Sequence, residues 1–221
     1  MVRVAGDGGR AAAARAGTFA WLVVGGVLLY VAIDVALVPL RPQFSVLHSA
    51  ESDYGSRGSW AWLMDLNFLL RCALSLAAVR AIALAAGRSR GLRGALTLLV
   101  VWALASGLLA FFPDDPAGTR LTRSGEIHLV VALVAFLAVV AGTIVGSRAL
   151  RREPLWRPLA VPLAVISTAA LLLFLVLGVV GFGAHSLGGL DEKLFLGLEL
   201  LWLVVACFPI ALGPPRARAT S

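Results

Sequence analysis

The chain has 221 residues, of which 60% are hydrophobic and 14% charged, with a mean hydropathy of +0.92. Soluble domains carry nearer 45–50% apolar and about 25% charged residues, so disorder, a collagen, a disulfide scaffold and an ordinary cytosolic enzyme are excluded. The net charge of +7 and pI of about 10.9 invite nucleic acid as a partner, but the arginines are divided among short connections, which is the pattern of membrane topology.

A helix crossing hydrocarbon needs about 20 mostly apolar residues. Six such runs are read, at roughly 18–40, 61–86, 94–112, 126–146, 158–181 and 194–212. They are apolar on every side and lack the two-residue alternation of barrel strands. The expected fold is all-α, a six-helix transmembrane bundle of one domain over 18–212, flanked by tails 1–17 and 213–221. The basic N-tail resembles a signal-peptide n-region, but the first apolar run is too long and no small-x-small cleavage site follows. It is expected to remain as the first helix.

Orientation follows the arginine and lysine count. Twelve lie in the N-tail, 87–93, 147–157 and the C-tail, against five in the other connections. Both termini are therefore expected in the cytoplasm, with the chain in the inner (plasma) membrane. Cys72 and Cys207 sit in apolar runs and read as buried free thiols. Ala138, Gly142 and Gly146 form a small-residue stripe that lets a neighbouring helix approach.

The acids are unevenly placed. Of twelve, all but Asp7 and Glu153 fall on the outer side or in the outer halves of spans, as do His48, His128 and His185. The longest outer connection, 41–59, holds His48, Glu51, Asp53 and Tyr54. It reads either as a solvated loop or as a binding loop. In segment 111–128, Pro113 and Pro116 stop the third helix and hold Asp114 and Asp115 at the surface. Thr122 or Ser124 then caps the fourth helix, with Glu126 in its first turn and His128 deeper.

Four ionisable residues lie within the spans. At 1.5 Å per residue, Asp34 is roughly 9 Å, Asp65 roughly 6 Å and Glu199 about 8–9 Å inside, with Arg71 near the midplane. Charge at that depth must find a partner or water, so Arg71 is expected to pair with Asp34, Glu199 or Asp65. Asn67 shares its helix face. The resulting candidate ligand site comprises Asp34, Asp53, Tyr54, Asp65, Arg71, Asp114, Glu126, His128 and Glu199. A divalent metal held by His128, His185 and Asp114 would activate water, although the histidines form no close pair in sequence.

Four short motifs occur in order: DYG at 53–55, W-x-x-D-x-N-F at 62–68, FPDDP at 112–116 and SGEIH at 124–128. Together they resemble the domain-of-unknown-function 998 family of bacterial integral membrane proteins, over roughly 20–210. The resemblance implies about six helices and no established activity. It points to Asp53, Tyr54, Gly55, Asp65, Pro113, Asp114, Pro116, Gly125 and His128. Three classes of function follow: a polar pocket open to the outside that takes a small ligand, cation or lipid headgroup; a metal-dependent lipid hydrolase; or a structural partner subunit.

Overall fold

The computed structural model describes residues 7–116, 118–182 and 185–213. Arg3, Arg216 and Arg218 of the charge count lie outside these. Six long helices make up the fold: α1 (Asp7–Leu40), α2 (Ala61–Ala85), α3 (Arg90–Leu109), α4 (Arg123–Leu150), α5 (Ala160–Val180) and α6 (Gly188–Leu212). Among the described residues there are no strands. All six helices are long and apolar enough to cross a membrane. Their outer surface is apolar as well: Leu28 is 71% exposed, Val161 72% and Val179 88%. Such an exterior is stable in lipid and not in water. The chain is a multi-pass helical bundle.

Each helix packs on the next in sequence, and α1 also packs on α6. The six thus form a closed ring, with α6 reaching α2 and α4 as well. Lipid tails are as apolar as leucine, so helix association here rests on close packing and interhelical hydrogen bonds. The small-residue stripe on α4 serves this end. Gly142 lies against Leu98 and Leu99 of α3, and Gly146 against the Trp202 ring of α6. Three buried tryptophans each have the indole N–H satisfied, as burial requires. Trp102 donates to Ser75 Oγ at 2.9 Å, Trp202 to Ser147 Oγ at 2.8 Å and Trp156 to the Ala206 carbonyl at 2.7 Å. Phe136, Phe174 and Phe195 join α4, α5 and α6 through ring contacts. Cys72 and Cys207 are free thiols.

The helix limits differ from the sequence expectation where charges trimmed the apolar window. Helix α1 begins at Asp7, ahead of residue 18, and α6 begins at Gly188, ahead of residue 194. The second difference is consequential, because it places Asp191, Glu192 and Lys193 inside α6 with both acids buried. Thr122 is the N-cap of α4, its hydroxyl accepting from the Gly125 N–H.

Alternation of the helices brings connections 41–60, 110–122 and 181–187 to one end, called here the loop end. The exposed Arg88, Arg90, Arg93, Arg148, Arg151, Arg152 and Arg157 mark the other, the basic end.

Candidate functional site

The site is built on connection 41–60, which folds back into the bundle mouth. Arg41, buried just past α1, fastens it. Its guanidinium donates to the carbonyls of Tyr54 at 2.7 Å and Ser56 at 2.6 Å. Burial lowers the Arg41 pKa from its ordinary value, but five fixed donors suit it to several carbonyls at once. A single 3-10 turn, Ser52–Gly55, carries the DYG residues inward. Across the mouth, Lys193 of α6 donates to the Ser49 carbonyl at 2.7 Å, and the Leu190 N–H to the Leu47 carbonyl at 3.1 Å. Gly189 makes this contact possible: a Cβ there would stand 2.3 Å from the Ser49 oxygen. His48 Nδ1 lies 2.6 Å from the Ser186 carbonyl. A carbonyl only accepts, so Nδ1 carries the proton.

The fold-back delivers Glu51 to Arg71. Glu51 Oε1 is 3.7 Å from Arg71 Nη1 and accepts a hydrogen bond from the Tyr30 hydroxyl. The Tyr30 oxygen in turn accepts from Arg71 Nη1 at 3.3 Å. Arg71 is 2% exposed, and its guanidinium also lies 5.1 Å from the Phe68 ring and 5.0 Å from the Trp102 ring. The expected pairing is thus corrected: the ion-pair partner of Arg71 is the loop residue Glu51. Asp34 and Glu192 add to the negative field around Arg71, and Asp34 accepts from Asn67 Nδ2 at 2.7 Å. Glu199 is buried elsewhere on α6, and Asp65 is half-buried; neither forms a salt bridge among the described residues.

The second wall is the FPDDP–SGEIH segment. Asp114 Oδ2 accepts from Ser52 Oγ at 2.6 Å, which ties the two motif segments together. His128 donates from Nδ1 to the Phe112 carbonyl at 2.7 Å. Its Nε2 faces Asp114 Oδ2 at 3.9 Å. Asp115 closes the turn, accepting from the Thr122 N–H; that bond holds its pKa below the ordinary value. Asp53 accepts from the Ala50 N–H at 2.9 Å. Burial, and then the Asp114 carboxylate, push Asp53 up to about 6. Burial also raises Tyr54, whose hydroxyl meets the Phe44 carbonyl at 3.3 Å.

Two cavities adjoin these groups. The smaller, about 200 Å³, is bounded by Asp34, Glu51, Tyr54, Met64 and Lys193. The larger, about 480 Å³, is a cleft between α4, α5 and the loop turn. Its upper wall holds Ser52, Asp53, Asp114, Asp115, His128 and Glu192; its lower wall holds Leu129, Leu133, Phe136, Phe174 and Leu177. A small space of about 20 Å³ is bounded by Glu51, Arg71, His128 and Glu192. Of the expected residues, Asp53, Asp114 and His128 line the large cleft, and Asp34 and Tyr54 the small one. Glu126 points to solvent, where it complements the α4 dipole. Four residues absent from the expected site complete the cluster: Tyr30, Glu51, Glu192 and Lys193.

The metal set is not assembled. His185 is exposed, and among the described residues no group of three or more His, Cys, Asp or Glu is gathered as a metal ion requires.

No curated protein and no solved structure gives a match. The family described as "Protein of unknown function (DUF998)" matches residues 23–209, a stretch that includes every motif of the loop end, and the chain belongs to that family.

Proposed function

We propose that the protein is a membrane-embedded binding protein whose large cleft takes an amphiphile with a cationic, hydrogen-donating head. The loop end faces the outside of the plasma membrane in this reading, with the arginine-rich end in the cytoplasm as the distribution of basic residues favours. The observation that carries it is the two-part wall of the 480 Å³ cleft, with carboxylates and an imidazole above and leucine and phenylalanine below. Pockets that combine a broad apolar surface with a few placed polar groups bind ligands by the first and orient them by the second.

The polar groups select the head. With Nδ1 committed to the Phe112 carbonyl, a neutral His128 presents a lone pair at Nε2. Asp114 Oδ2 stands 3.9 Å away and also accepts. Two acceptors facing each other call for a donor between them, and a primary ammonium supplies one N–H to each. Asp53 and Asp115 make the surrounding field negative. The lower wall then receives the hydrocarbon chain, which can enter from the bilayer between α4 and α5.

Thermal unfolding of the detergent-solubilised protein tests this with three lysolipids: ethanolamine-, choline- and glycerol-headed. Stabilisation by the ethanolamine lipid above the other two, lost in Asp114→Asn and His128→Ala, is expected. Equal stabilisation by all three lipids, or an undiminished ethanolamine effect in Asp114→Asn, overturns the reading.

A further inference from the structure

Glu199 plays no part in the loop-end cluster. It lies on α6, is 1% exposed, and neither carboxylate oxygen has a hydrogen-bond partner among the described residues. The polar side chain beside it is Thr143 of α4. That hydroxyl donates to the helix carbonyls of Val139 (2.9 Å) and Val140 (3.2 Å). No charged side chain from α1, α2, α4 or α5 acts on Glu199 among the described residues. Glu192, on the same helix, is seven residues away, about 10 Å.

An isolated carboxylate in such surroundings is prohibitively costly. A neutral carboxylic acid carries a far smaller desolvation cost.

We propose that Glu199 is a proton-binding site within the bundle, occupied as the neutral acid. The site is independent of ligand binding in the loop-end cleft.

Infrared spectroscopy of the purified protein at pH 7 tests the site. The carbonyl band of protonated carboxyl groups is expected to lose intensity in Glu199→Gln. That variant should melt within a few degrees of wild type, since an amide replaces a neutral acid of the same shape. An unchanged band overturns the proposal. If Glu199→Gln does not fold, Glu199→Asp keeps the acid and must shift the band; an unshifted spectrum overturns the proposal equally.

Discussion

The backbone N–H of Glu51 donates to the Glu192 carboxylate at 2.7 Å, joining residues 141 apart in sequence. One acid thereby positions another: Glu192 holds the loop backbone while the Glu51 side chain turns away to Arg71. The burial of Arg71 depends on this arrangement, because the guanidinium has its ion-pair partner only while the loop is folded in.

Removing Glu51 should therefore be severe. Leaving one member of a buried pair uncompensated costs about 3–5 kcal/mol. Glu51→Ala is expected to destabilise by that order in thermal or denaturant unfolding in detergent. The double variant Glu51→Gln with Arg71→Met should recover most of the loss. A double variant no more stable than Glu51→Ala would show that the charge pair is not the cause.

Arg41 tests whether the loop is fastened from the α1 side. Hydrogen bonds from a charged donor contribute about 1.5–3 kcal/mol each. Arg41→Ala should speed amide hydrogen exchange over 50–56 by about tenfold or more, with exchange in α3 and α5 unchanged. Equal protection of 50–56 in the variant would locate the fastening elsewhere.

Two glycines on α6 give opposite expectations for the same substitution. A Cβ at Gly189 would meet backbone atoms of Ser49 at 2.3 and 2.7 Å, whereas one at Gly197 meets nothing within 4 Å. Backbone cannot give way as a side chain does, so Gly189→Ala should cost about 1–3 kcal/mol. Gly197→Ala should be neutral or stabilise by about 0.5–1 kcal/mol through helix propensity. Melting temperatures that move together would refute the close contact between loop and α6.

Asp53 gives the loop end a pH signature. Its pKa is raised to about 6 in the folded protein by burial and by Asp114, against about 3.9 for an unfolded aspartate. Between these values the folded state binds more protons than the unfolded one, so stability falls as pH rises from about 4 to 6 and then levels. The melting temperature of wild type relative to Asp53→Asn should drop across that window and run parallel above pH 7. A constant difference from pH 4 to 7 would show that Asp53 is not the titrating group.

The spans were legible because six long apolar runs leave the backbone one way to satisfy itself in lipid. The motif segments at the loop end also proved to be neighbours, as Ser52 and Asp114 show. What remained hidden was which charge meets which. A loop residue such as Glu51 has no periodicity to reveal where it lands, and hydropathy alone cut α6 short of Glu192. Tyr30 did leave a trace. Tyr30 and Asp34 on α1 have the same four-residue spacing as Asn67 and Arg71 on α2. Polar pairs so spaced share a helix face, and on adjacent helices the two sets meet: Asn67 bonds both Asp34 and the Tyr30 carbonyl.

The contact between α1 and α6 makes the arrangement cyclic. A Cβ at Gly17 would sit 3.9 Å from the Ile210 carbonyl, so the first and last helices pack directly on one another. Six crossings return the polypeptide to the end from which it set out. A circularly permuted gene that links α6 to α1 and opens the backbone between α2 and α3 would thus encode the same set of helix neighbours, with adjacency rather than order of synthesis defining the architecture.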